Sequence, residues 1–248
     1  MAFPNVKLAR RPLHFIYLCD CSGSMKGQKM QSLNQAIKQT LPAMAEVARN
    51  NPEAELLVRA VRFSDRAEWH IAQPTPVEGI QHSWQDLEAY GLTSMGEAMT
   101  LVAEVLRTPP MEQRALPPVL VLISDGAPTD DYHAGLQRLF DQPWARKAVR
   151  LAIAIGHDAA VDELQKFIGP EETSTDTNES PARRPLQAND ARTLARYIKW
   201  ASTAVVNAAS RPVSDIGGDR MPSRQSNIPM PDLPPTLMDP TDMDQVVW

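Results

Sequence analysis

His14-Phe15-Ile16-Tyr17-Leu18-Cys19 runs without a break into Asp20-Cys21-Ser22-Gly23-Ser24-Met25. The first six residues form a short, largely apolar run with no strict alternation, the pattern of a strand covered on both faces. Val119–Ser124 (VLVLIS), Val149–Ile155 (VRLAIAI) and Leu56–Phe63 (LLVRAVRF) repeat that pattern. Ala67–Ile71 follows the Ser64–Asp65 turn and reads as a short antiparallel neighbour, and Pro185–Gln187 as a short edge strand.

Helix-length segments lie between these runs. Gln28–Arg49 places Met30, Leu33, Ile37, Leu41, Met44 and Val47 near a 3.6-residue period, with Pro42 expected to kink or split it. Ser94–Arg107, Asp131–Phe140, Val161–Ile168 and Ala191–Ala208 are further helical candidates. Strands alternating with helices of this length read as an α/β domain: a Rossmann-like, doubly wound, mostly parallel sheet with one antiparallel edge strand and helices on both faces.

Composition narrows the function classes. The chain has 248 residues, a formal charge of −5 and 43% hydrophobic content, so one domain with a sizeable core fits. Mild acidity without a basic run argues against nucleic acid or an anionic membrane as the main partner. Cys19 and Cys21 stand too close to staple a domain, and the five His residues lack the spacing of a zinc site. The apolar run after Lys7, Arg10 and Arg11 is shorter than a secretory core or a spanning helix requires, so the expectation is a soluble, cytoplasmic protein.

Three loops carry the chemistry. Asp20-Cys21-Ser22-Gly23-Ser24-Met25 leaves the first run, Gly91-Leu92-Thr93-Ser94 opens the Ser94–Arg107 helix, and Ser124-Asp125-Gly126 leaves Val119–Ser124. In open α/β sheets ligands gather beyond the carboxyl ends of strands. Asp20, Ser22 and Ser24 alternate, so their side chains are able to point one way, with Gly23 allowing a tight turn. With Thr93 and Asp125 they form two carboxylates and three hydroxyls, a set suited to Mg²⁺, with Mn²⁺ or Ca²⁺ as alternatives. Two carboxylates only balance a dication, which leaves it electrophilic toward a carboxylate from another molecule. Helix N-termini at Gln28 and Ser94 would assist that approach.

These segments resemble the metal-ion-dependent adhesion site (MIDAS) of von Willebrand factor A domains: D-x-S-x-S, a downstream Thr, and the Asp of a strand-end Asp-Gly. The likeness covers residues 12–209, with Asp20, Ser22, Ser24, Thr93 and Asp125 at the metal-ligand positions. DCSGSMKG together with SDGAPTD is similar, more specifically, to the bacterial TerY-like branch. That likeness implies a non-enzymatic, metal-dependent interaction or scaffold module, associated with tellurite resistance and with a Ser/Thr kinase and a PP2C-type phosphatase as partners. Alternative functions are a Mg²⁺-dependent phosphatase-like enzyme using Asp20, and an adaptor of a MoxR-type AAA ATPase or tellurite-stress complex. The phosphatase pattern needs a second Asp where Ser22 stands, and no Walker A loop, GxGxxG or G-x-S-x-G elbow occurs.

Smaller features read blandly. Cys19 ends a strand and Cys21 fills a loop position, Asp130 and Asp131 open the next helix, and Glu171–Arg184 is a polar surface loop. Residues 210–248 are rich in Pro, Met and Asp and form a second segment, either a disordered tail or an extended docking segment. Met230, Leu233, Val247 and Trp248 are its candidate partner-binding anchors.

Overall fold

The computed structural model describes residues 10–169 and 184–209. Met230, Leu233, Val247 and Trp248, like most of the Glu171–Arg184 stretch, lie outside the described residues. Within them the HFIYLC run becomes the middle of β1 (Arg11–Asp20), an inner strand buried from Leu13 to Asp20. The chain continues through α1 (Gln28–Asn50), β2 (Ala54–Phe63), β3 (Ala67–Pro76), α2 (Val77–Ile80), α3 (Met95–Val105) and β4 (Val119–Ser124). It goes on through α4 (Tyr132–Phe140), α5 (Pro143–Lys147), β5 (Val149–Ile155), α6 (Val161–Ile168), β6 (Leu186–Ala188) and α7 (Ala191–Trp200). A π-helical turn, Ala201–Val205, leads to α8 (Val206–Ala209).

The strand order is β3-β2-β1-β4-β5-β6. Every pair is parallel except β2 with β3. The strand order therefore reverses between β1 and β4, and the crevice beyond their carboxyl ends is where a doubly wound sheet binds ligands.

Alternation along β1 divides the core. Leu13, Phe15, Tyr17 and Cys19 pack on one face against α1 and α7 residues such as Leu33, Ile37, Leu194 and Ile198. Ile16 and Leu18 pack on the other face with Met99 and Val102 of α3, Leu136 of α4 and Phe167 of α6. A strand flanked on both sides by helices must be apolar on both faces, which is why its sequence does not alternate.

The structure corrects the expectation for Pro42, since α1 is one helix of 23 residues. Pro42 is exposed, while Leu41 and Met44 beside it are buried. The backbone bond that proline removes is thus on the wet side, and packing on the inner side carries the helix through. The antiparallel strand is also longer than expected, reaching Pro76, and β6 sits one residue later than Pro185–Gln187.

Far from the carboxyl edge, His14 is 5% exposed with Nε2 at 2.9 Å from Glu112 Oε2. Burial pushes its imidazole below the ordinary 6.5, with Glu112 opposing that shift and Arg59 adding to it. His70 is lowered by burial as well. A histidine that binds its proton less readily when folded favours unfolding in acid. Stability should therefore hold at neutral pH and fall as pH drops below about 6.5, until the lowered folded values are passed. Melting midpoints measured from pH 8 to pH 5 should show this decline, and His14→Gln should flatten part of it.

Candidate metal centre

Asp20 is the last residue of β1 and is fully buried. Its Oδ1 accepts from the Ser22 backbone N–H at 2.8 Å, and its Oδ2 accepts from Ser124 Oγ on the neighbouring strand. Burial raises this carboxyl above the usual range; the Ser124 and Ser22 hydrogen bonds oppose the rise, and the nearby Asp125 charge adds to it. Asp20 is thus immobilised and shut off from solvent.

The hydroxyls stand above it in sequence. Ser22 Oγ and Ser24 Oγ are 2.9 Å apart, and Ser24 Oγ donates to Asp125 Oδ1 at 2.7 Å. Adjacent oxygens around an octahedral Mg²⁺ lie about 2.9 Å from one another, given metal–oxygen distances of about 2.0–2.1 Å. The observed spacings are those of ordinary hydroxyl hydrogen bonds and are also compatible with that edge length. Ser24 is exposed, so an ion has a way in.

Gly126 defines the space between the loops. A Cβ built on it would meet Ser24 Oγ at 3.7 Å and Thr93 Oγ1 at 3.9 Å, so both hydroxyls face one cradle. Among the described residues none hydrogen-bonds to Thr93 Oγ1, although Thr93 is 5% exposed. A hydroxyl that faces the same space as Ser24 Oγ and has no partner among the described residues suits a hard cation. Among the described residues no group of three or more His, Cys, Asp or Glu converges, which excludes a nitrogen- or sulfur-rich site there. The site thus gathers Asp20, Ser22, Ser24, Thr93 and Asp125 at the carboxyl ends of β1 and β4.

The supporting groups are less legible from sequence. Gly23 is not at a positive φ; its role is close approach, its N–H donating to Gly91 O at 2.9 Å. Gly91, at φ 69°, lets the second loop turn toward it. Asp65 Oδ1 accepts from the Leu92 N–H, while Thr129 Oγ1 accepts from the Thr93 N–H. Asp130 does not open α4. Its two oxygens accept from Gly96 N and Glu97 N at 2.9 and 2.8 Å, capping α3, whereas Asp131 caps α4 through Ala134 N. Neither is placed as a metal ligand.

Lys29, in the first turn of α1, was not singled out by sequence. Its Nζ lies 2.7 Å from Asp125 Oδ2 and 3.6 Å from Asp158 Oδ1. A Lys one turn past a D-x-S-x-S loop is the signal that could have found it. Both cysteines are buried and free, and burial pushes the Cys21 thiol up to about 12, so neither is a reactive thiolate.

Only three large apolar side chains among the described residues are notably exposed: Tyr90 at 39%, Leu92 at 59% and Val161 at 40%. Tyr90 and Leu92 lie just before Thr93 in sequence, and Val161 opens α6 just past the carboxyl end of β5. Tyr90 and Leu92, in the loop before α3, and Val161, at the start of α6, lie toward the carboxyl edge of the sheet. Among the described residues no helix is long and apolar enough to cross a membrane.

The family model for the von Willebrand factor type A domain matches residues 15–190. No curated protein matches the sequence. Among solved structures, the chain is similar to proximal thread matrix protein 1 of the mussel byssus with a zinc-occupied MIDAS motif, at 16% identity and TM-score 0.58, covering 78% of this chain and 48% of that one. It is also similar to a von Willebrand factor type A protein of Catenulispora acidiphila, at 17% identity and TM-score 0.55, covering 79% and 42%. A third is the pilus adhesin SpaC of Lactobacillus rhamnosus GG, at 11% identity and TM-score 0.59, covering 82% and 31%. This chain spans about half or less of those proteins' lengths, and at such identities the likeness establishes the fold.

Proposed function

The chain belongs to the von Willebrand factor type A domain family, and we propose that it is a divalent-cation-dependent protein-interaction module whose ion is completed by a partner's carboxylate. One observation carries this reading: Ser22 Oγ, Ser24 Oγ and Asp125 Oδ1, from two loops, follow one another at 2.9 and 2.7 Å, and Thr93 Oγ1 of a third loop faces the same space beside Gly126. Ser22, Ser24, Thr93 and Asp125 would hold the ion, with Asp20 charging the floor beneath it. Mg²⁺ is the assigned ion, given an all-oxygen set with only two carboxylates. The zinc-occupied MIDAS of the mussel protein supports a dication in this fold. When bound, the ion supplies a Lewis-acidic position for an incoming carboxylate.

The rim supports a protein as the partner. Tyr90 and Leu92 project from a loop pinned by Gly23, Asp65 and Thr129, so their apolar surface is held ready rather than ordered on binding. An acidic residue followed or preceded by an apolar one suits that surface. The partners we assign are the Ser/Thr kinase and PP2C-type phosphatase of a TerY-like set, in the cytoplasm, where the two free buried thiols are at home. Residues 12–209 form the domain on this reading, and residues 210–248 a docking segment.

We assign no catalytic role. Both Asp20 oxygens already accept hydrogen bonds in a side chain closed to solvent, which weighs against a phosphatase nucleophile. Capture of the kinase and phosphatase by the immobilised full chain, compared in Mg²⁺ and in EDTA, tests the reading. Capture should require the metal, and equal capture in EDTA would reject it. Leu92→Ser should weaken the same capture by roughly tenfold, the effect of truncating an apolar anchor, while leaving Mn²⁺ affinity unchanged.

A further inference from the structure

Asp125 is the one carboxylate of the site that already has a cation. Its side chain is 0% exposed, Lys29 Nζ sits on its Oδ2 at 2.7 Å, and the lysine side chain is 13% exposed. We propose that Lys29 is a tethered stand-in for the metal: it offsets one of the pocket's two carboxylate charges before an ion arrives and thereby sets a low affinity for that ion. This rests on the metal-centre reading above and concerns how that centre is regulated.

Three observations place the ammonium in this role. First, the Lys29 side chain runs along the β5-α6 loop: a Cβ on Gly156 would meet its Cε at 3.4 Å and its Nζ at 3.3 Å, and Gly156 has φ 83°, a conformation that favours glycine. The loop is shaped so that the lysine is able to pass. Second, Lys29 takes only Oδ2 of Asp125, while Oδ1 faces Ser24 Oγ and the hydroxyl cluster. The ion and the ammonium would therefore share one carboxylate, each reducing its attraction for the other. Third, Asp158 Oδ1 lies 3.6 Å from Nζ and its side chain is 77% exposed. Lys29 thus has a second carboxylate within reach, in contact with solvent.

Two opposite consequences follow from a neighbouring group of this kind, and magnitude decides between them. Partners that orient a metal ligand raise affinity, and losing one costs about 10–100-fold. A full positive charge beside a dication in a poorly solvated site opposes binding by at least as much. Here orientation has other sources, because Ser24 Oγ holds Oδ1 and Asp125 begins a loop fixed at the end of β4. Charge repulsion is therefore the larger effect.

The test measures Mn²⁺ binding to the full chain by calorimetry, together with melting midpoints in EDTA. Lys29→Gln should bind Mn²⁺ roughly tenfold or more tightly than wild type. In EDTA it should melt roughly 5 °C or more lower, because two buried carboxylates lose their counter-charge. Lys29→Arg keeps the charge and should stay near wild type in both readouts. Lys29→Met serves if the Gln variant does not fold in EDTA, with Mn²⁺ expected to restore its fold. Unchanged or weaker Mn²⁺ binding in Lys29→Gln, with wild type still binding the ion, overturns the stand-in role and makes Lys29 a positioning residue. Absence of Mn²⁺ binding in wild type would instead overturn the metal centre itself.

Discussion

Asp125→Ala is expected to reduce Mn²⁺ affinity by more than about 100-fold, beyond the cost of losing an outer partner. The side chain is wholly buried between Ser24 Oγ and Lys29 Nζ, so no water-exposed rotamer of another residue replaces it. Its removal leaves Asp20 as the only carboxylate facing a dication and the Lys29 ammonium uncompensated beside it. The fold should survive, because Asp158 stands 3.6 Å from Nζ to receive the freed charge and the β4 core from Val119 to Ile123 is untouched. Calorimetric Mn²⁺ titration alongside circular dichroism separates the two effects. Unfolding of the variant would mean that Asp125 is chiefly structural, whereas retained affinity would mean that it is no ligand.

Gly135→Ala should lower stability by about 3 kcal/mol, or roughly 6–12 °C for a chain of this size. In an exposed helix this substitution stabilises by up to about 1 kcal/mol. Here the added Cβ would stand 2.3 Å from Gly96 O and 2.6 Å from Gly96 Cα, both backbone atoms of α3. Reciprocally, a Cβ on Gly96 would stand 2.5 Å from Asp131 O. Two helices that touch backbone to backbone have no flexible side chain to yield, so α4 must retreat. That retreat pulls Asp130 from Gly96 N and Glu97 N, the cap that fixes the start of α3 next to Thr93. A thermal melt in EDTA checks the stability loss, and a weakened Mn²⁺ titration checks that the helix contact reaches the site. A neutral or stabilising outcome would show that the pair is loosely packed.

What was legible in the sequence was whatever depends on local pattern. β1, β4 and β5 announce themselves because a strand buried on both faces is nearly continuous in apolar residues, with few polar interruptions such as Arg150. The ligand set was legible because Asp20, Ser22 and Ser24 alternate, and because Thr93 and Asp125 each stand where a strand or loop hands over to a helix. Three-dimensional partnerships were not legible. Asp130 and Asp131 are adjacent in sequence yet cap different helices, since α3 and α4 approach each other through Gly96 and Gly135. Lys29 looked like one polar residue on an amphipathic helix, and only the parallel pairing of β1 with β4 carries Asp125 to within 2.7 Å of it. Pro42 misled because the local rule counts a lost hydrogen bond without knowing which side of the helix is wet.

The proposed function requires several loops to share one ion, and a crystal of the full chain grown with Mn²⁺ addresses this directly through the anomalous scattering of the metal. The expected result is a peak bonded to Ser22 Oγ and Ser24 Oγ and bordered by Thr93 and Asp125, with a remaining position held by solvent or an acidic side chain. A peak elsewhere on the surface, or none at saturating Mn²⁺, would contradict it.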